Sequence, residues 1–180
     1  MKVVSVVGMP GSGKSEVARV FEANGYTKIR FGDLTDEEMK RKGLKPSEAN
    51  ERRVRESLRQ EHGMAAYAQL SLIKIDEVSK HSDVVIDGLY SWEEYIFLKT
   101  YCGDKILIVA VWASPRIRYS RLVGRSVRRL TEEEAASRDR AEIENVNKGG
   151  PIAMAEITIM NEASVEELRK ETRRIIAGLK

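Results

Sequence analysis

"VVSVVGMPGSGKS", Val3 to Ser15, joins a short valine-rich run to a glycine-rich turn that ends in Lys-Ser. Four valines around Ser5, stopped at once by Gly8, read as a strand buried on both faces. Gly8 to Ser15 then match G-x-x-x-x-G-K-[ST]. In that pattern the glycines let the backbone turn tightly, so that successive N–H groups face phosphate oxygens. A helix opening near Gly13 adds its positive N-terminal end. Gly8, Met9, Pro10, Gly11, Ser12, Gly13, Lys14 and Ser15 are therefore the expected nucleotide-binding residues. Lys14 is expected to reach the β- and γ-phosphates, and the Ser15 hydroxyl to ligate Mg²⁺. ATP with Mg²⁺ is the expected ligand pair.

Further runs of the same kind follow at Thr27–Phe31, Asp83–Asp87, Lys105–Ala113 and Glu156–Met160. Helical patterns fall between them: from the phosphate loop to about Asn24, then about Pro46–His62, Met64–His81, Trp92–Tyr101, Pro115–Val127, Thr131–Asn145 and Val165–Leu179. Gly25 is a plausible stop, Pro46 and Pro115 suit first-turn positions, and Thr131 with Glu134 forms a capping box. Alternating strands and helices predict an α/β three-layer sandwich with right-handed crossovers. Trp92 and Trp112 read as core, and His62 and His81 as partners of helix C-termini.

The 180 residues suffice for one domain with one core, and no repeat or linker divides them. Charged residues make up 33%, yet 31 basic against 28 acidic residues leave only +3, which argues against a nucleic-acid or membrane partner. The single cysteine, Cys102, rules out a disulfide framework within the chain and suits a reducing cytoplasm, the expected location. No apolar stretch approaches the roughly 20 residues of a membrane helix.

Two acidic residues stand at strand ends, where such sheets face their ligands. Asp87 closes "DVVID" and is assigned to Mg²⁺ or its water shell; the alternative is an Asp that opens the turn "DGLYS". Asp33, in "IRFGDL", would position an acceptor hydroxyl or help hold Mg²⁺, or else cap a helix starting near Thr35.

Two polar segments look unlike core. From Leu34 to His62 the apolar stripe is thin, mainly Ala49, Val54 and Leu58, and this stretch is the expected acceptor-binding insertion. From Arg116 to Arg140 there are eight arginines. Arg118, Arg121 and Arg125 fall at i, i+3 and i+7, on one helical face, with Arg138 and Arg140 on the next helix. Planar forks that grip phosphate suit a lid over a transferring phosphoryl group; a solvated face or an RNA patch are the alternatives. Arg52, Arg55 and Arg59 share another face, divided between acceptor binding and i,i+4 pairing with glutamates.

The order "GMPGSGKS", "FGDL", "VVIDG", "RLVGR", "SRDR" resembles the P-loop nucleoside-monophosphate kinase superfamily, and within it a group of archaeal proteins related to adenylate kinase. The stretch "SRDRAEIENVNK…ITIMNEAS" also looks like the tail of dephospho-coenzyme A kinases. The resemblance implies a five-stranded parallel sheet, a mobile acceptor segment at about 34–62 and an Arg-rich lid at about 116–140. It places Arg121 against the adenine, Arg138 toward the transferred phosphate and the loop Asn161–Val165 along the base pocket. Lys14, Asp33, Arg121, Arg125 and Arg138 are the expected catalytic residues. AMP is the first acceptor it suggests, although "GDLTDEE" and "DGLYSW" lack the arginines that adenylate kinases carry there. A small-molecule kinase, a regulatory ATPase and an RNA-associated ATPase all remain compatible with the loop itself.

Overall fold

The computed structural model describes residues 1–179. Five strands form one all-parallel sheet in the order β2-β3-β1-β4-β5, with β1 Val3–Val7, β2 Thr27–Arg30, β3 Val84–Leu89, β4 Ile106–Trp112 and β5 Ile157–Met160. Central β1 pairs Val3 with Val84 on one side and with Ile106 on the other. Every residue of β1 and β3 is buried, as continuous apolar strands require. β2 and β5 are edges and fully bury only Ile29 and Ile159, so their faces are not covered as the sequence pattern suggested.

Helices cover both faces. α1 (Lys14–Ala23) and α9 (Val165–Leu179) pack on one, around Val6, Phe21, Val109 and Leu168. α2 (Gly32–Arg41), α3 (Glu48–His62), α4 (Ala66–Ser79) and α5 (Trp92–Cys102) contribute to the other, around Phe31, Val54, Tyr67 and Leu98. α6 (Pro115–Val123), α7 (Glu132–Glu144) and the short α8 (Gly149–Ala153) complete the chain. The Thr131–Glu134 capping box and Pro115 at the start of α6 are as expected, and Ser91 with Glu94 forms a second box on α5. None of the described helices is long and apolar enough to cross a membrane.

Several local expectations are corrected. Pro46 lies outside α3, whose N-cap is Ser47, accepting from the Asn50 amide at 3.2 Å. α2 starts at Gly32, so Asp33 sits inside its first turn and caps nothing. α6 ends at Val123, so Arg125 does not continue the helical face of Arg118 and Arg121. Trp112, at the end of β4, is 40% exposed rather than core. α2 was foreseen only as a helix starting near Thr35, since it buries little beyond Thr35 and Met39, and α8, five residues long, was not foreseen.

Candidate functional site

The connection after β1 leads to β2 in one half of the sheet while that after β3 crosses to β4 in the other, and the ends of such strands open a crevice. Gly8 to Ser15 lie there, directly after β1. Gly11 and Gly13 take φ of 80° and 104°, the left-handed region open to glycine, and both are closely packed. A Cβ on Gly11 would lie 2.7 Å from the Arg118 carbonyl oxygen, and one on Gly13 would lie 2.4 Å from Asn161 Nδ2.

Two of the loop's carbonyls are tied to side chains outside it. Arg118 Nη1 donates to Pro10 O at 3.1 Å, and Asn161 Nδ2 donates to Ser12 O at 2.8 Å. Among the described residues the amides of Gly11, Gly13, Lys14 and Ser15 find no acceptor, the last two because they open α1. Lys14 Nζ folds back onto Met9 O at 2.9 Å. Burial, reinforced by nearby Lys148, brings its ammonium down to about 7, while Glu142 and Asp87 oppose the shift.

The loop faces a cleft lined by seven basic side chains, Lys14, Arg30, Arg55, Arg125, Arg128, Arg138 and Lys148, against four acidic ones, Asp36, Glu51, Asp87 and Glu142. Lys148 is buried. Its Nζ lies 2.5 Å from Glu142 Oε2 and 4.8 Å from the centre of the Tyr90 ring. Arg138 Nε reaches the other Glu142 oxygen at 3.1 Å. Both cations, with Lys14, hold the Glu142 carboxyl well below the usual carboxylate range against the opposing effect of burial. Asp87 is 5% exposed, and its carboxylate has no hydrogen-bond partner among the described residues.

Residues 4–145 match the AAA domain family. The chain is 39% identical to the UPF0200 protein of Thermococcus gammatolerans, over 98% of this chain and 97% of that one. It belongs to the UPF0200 family. Its fold is that of P-loop kinases. A gluconokinase from Sinorhizobium meliloti 1021 superposes with a TM-score of 0.62 at 17% identity, over 99% of this chain and 93% of that one. A shikimate kinase from Acinetobacter baumannii, in complex with shikimate, gives 0.61 at 15% identity, over 100% and 95%.

The expected site residues divide into three places in this UPF0200 chain. Lys14, Ser15, Asp87, Arg125 and Arg138 share the cleft. Arg121 lies apart, in a groove with Gly13, Asn161, Ala163 and Val165. There its Nη2 donates to Asn161 O at 3.0 Å and its Nη1 is buried without a partner. Asp33 does not line the cleft: it pairs with Arg30 Nη1 at 2.7 Å. Arg118 is no lid residue either, because it is buried in a two-pronged pair with Asp139, at 2.9 and 2.6 Å.

A second cavity, of about 220 Å³, adjoins the cleft and shares Arg55, Tyr90, Arg138 and Glu142 with it. α3 forms one wall, and α7 with Val146 the other. Arg138 Nη1 bridges them, 3.1 Å from Glu48, while Arg128 links to Glu51 and Asp36. Sequence reasoning did not single out Lys148, Glu142 or Tyr90. A lysine four residues past the end of a helix carries no local signal of burial.

Proposed function

We propose that this chain is an ATP-dependent small-molecule kinase. One observation carries the reading: a cleft with three more basic than acidic side chains meets a loop that has two carbonyls held by side chains from outside it and four amides free for an anion. A triphosphate supplies that anion. The adjoining cavity gives the phosphoryl group somewhere to go other than water. Arg138, lining both spaces, supports a role at their junction, with Lys14 and Arg125 on the donor side. Arg121 and the loop Asn161–Val165 would flank the base. In this reading residues about 34–62 bind the acceptor and about 116–140 form the lid, within one domain in the cytoplasm.

Mg²⁺ fits the residues present. Asp87 offers a nearly buried carboxylate without a partner, and Ser15 a hydroxyl on the same cleft. Among the described residues no group of three His, Cys, Asp or Glu could hold a metal alone, as expected of an ion that takes most of its ligands from phosphates and water. When bound, Mg²⁺ would neutralise charge on the β- and γ-phosphates. The protein's own part is positional. The loop amides and Lys14 hold the donor, Arg125 and Arg138 stabilise charge on the moving phosphoryl group, and walls of α3 and α7 limit water.

AMP is the acceptor that the resemblance puts first. The test is transfer from labelled ATP to a panel of nucleoside monophosphates, dephospho-coenzyme A and small hydroxy acids, with Lys14→Ala as the control. Lys14→Ala should stay folded, since Lys14 Nζ bonds only its own loop, and should lose most triphosphate affinity by calorimetry. Unchanged ATP affinity in that variant, or hydrolysis that no acceptor alters, rejects the kinase reading in favour of another use of the loop.

A further inference from the structure

The cavity beside the cleft contains a cation that the fold leaves without an acidic partner. Arg59, on α3, lines the cavity but not the cleft. Its neighbours are all paired: Arg55 with Glu48 at 2.8 Å, Arg52 with Glu48 at 3.6 Å, and Arg138 with Glu48 and Glu142. Among the described residues Arg59 has no carboxylate within ion-pair distance. Its Nε is buried with no hydrogen-bond partner, and its guanidinium rests 5.2 Å above the centre of the Tyr67 ring. The Tyr67 hydroxyl is itself taken up by Thr35, at 2.7 Å.

Glu94 is the acid nearest in effect, and the Arg59 charge acts to lower its carboxyl, but among the described residues the two form no ion pair and Glu94 Oε1 has no partner. Its Oε2 accepts from the Tyr90 and Ser91 amides at 2.8 and 3.3 Å. Burial pushes its carboxyl up to about 7, so near neutral pH it carries only part of a charge. A partly buried guanidinium without a counter-charge is unfavourable, and an anion in the cavity, meeting the part of the guanidinium other than the buried Nε, offsets that cost. A guanidinium also holds a carboxylate or a phosphate at two points.

We infer that the acceptor is a compact anion, held by Arg59 through a carboxylate or phosphate at the end of the cavity away from the phosphate loop, with a hydroxyl turned toward Arg138. Size points the same way: about 220 Å³ falls below the roughly 300–1,000 Å³ of pockets that enclose larger ligands. AMP fits this arrangement poorly. Its phosphate is the reacting group and would have to lie at the cleft, which leaves Arg59 against an uncharged base. A small hydroxy acid or a phosphorylated alcohol puts one charge at Arg59 and one nucleophile at the cleft. In the transfer the hydroxyl oxygen bonds the γ-phosphorus while the bond from phosphorus to the β,γ-bridging oxygen breaks. The nucleoside diphosphate leaves with that electron pair, and the hydroxyl proton goes to water. The phosphoryl step rests on the kinase reading; anion capture by Arg59 does not.

The Arg59 Nε–H resonance, assigned by its loss in Arg59→Lys, reports a change of charge environment at the guanidinium. Inorganic phosphate, glycolate and neutral glycolamide are titrated in turn, on the parent protein and on Lys14→Ala, where the phosphate loop is disabled. A saturable shift with phosphate or glycolate and none with glycolamide, retained in Lys14→Ala, is the expected result; the stronger of the two anions identifies the head group. In kinetics with a labelled hydroxy acid or phosphorylated alcohol, Arg59→Gln should raise the acceptor KM about tenfold to a hundredfold, with the KM for ATP unchanged and Arg59→Lys between. An Nε–H signal that neither anion moves overturns the inference. So does a labelled acceptor whose KM is the same in Arg59→Gln as in the parent. An Arg59 signal that responds while ATP fails to bind would reject the kinase reading and leave the anion site standing.

Discussion

Arg138 and Glu48, ninety residues apart in the chain, lie 3.1 Å from each other across the mouth of the second cavity. The same guanidinium reaches Glu142 through Nε, so one side chain ties α7 to α3 and stands between donor and acceptor spaces. Its charge is stabilised chiefly by Glu142 and Glu48, against the effect of burial. Arg138→Ala should lower phosphoryl transfer on the order of 10²-fold or more, because an arginine at the transferring group acts mainly on the transition state. Triphosphate affinity should fall much less. Single-turnover transfer measured beside calorimetric binding separates the two; equal losses in both would make Arg138 a ground-state ligand or a purely structural tie.

Arg118 and Asp139 form the molecule's two-pronged buried ion pair, and Arg118 also holds the Pro10 carbonyl of the phosphate loop. Both side chains are under a tenth exposed. Asp139→Ala would leave a buried guanidinium without its counter-charge, a change that costs about 3–5 kcal/mol in such pairs. Thermal or urea unfolding should show that loss. A variant as stable as the parent would mean that water or another acid replaces Asp139.

The legible part of the molecule was local. Gly8 to Ser15 announce themselves because strand, turn and helix follow within thirteen residues, and Asp87 because it closes an apolar run. What failed needed a third dimension. Arg118 and Arg121 share a helix and a spacing, yet Arg118 turns inward to Asp139 while Arg121 borders a separate groove by Asn161. Helical periodicity groups residues on a face without saying what that face meets. Lys148 is buried between Glu142, six residues before it, and the Tyr90 ring, which comes from a distant part of the chain. Asp33 was misread for the opposite reason, since a nearby partner, Arg30, takes the carboxylate before the cleft can.

Asp87 offers a cleaner test of the metal. Asp87→Asn keeps the size of the side chain and removes the charge, in a strand where every residue is buried. Triphosphate binding in the presence of Mg²⁺ should weaken by about tenfold or more, and binding with a chelator present should change little or improve. Calorimetry under the two conditions decides it. Equal weakening in both would return Asp87 to the turn that follows it.

Glu94 contributes a pH dependence to stability. Its carboxyl is 0% exposed, its Oε1 has no partner, and burial pushes it up to about 7 from an ordinary 4.5. Between those two values the folded chain keeps a proton that the unfolded chain has released. Stability contributed by this group is therefore fully present below about 4.5, falls as pH rises to about 7, and stays level above. At 1.36 kcal/mol per unit the loss is roughly 3 kcal/mol at most. Glu94→Gln can retain the bonds from the Tyr90 and Ser91 amides without the ionisable group. Urea unfolding from pH 4 to pH 8 should then show a flatter profile for the variant, with equal or slightly lower stability at pH 4 and higher stability at pH 8. Parallel profiles for parent and variant would mean that Arg59 holds the Glu94 carboxylate ionised throughout, and would leave Arg59 less free to take an anion from outside.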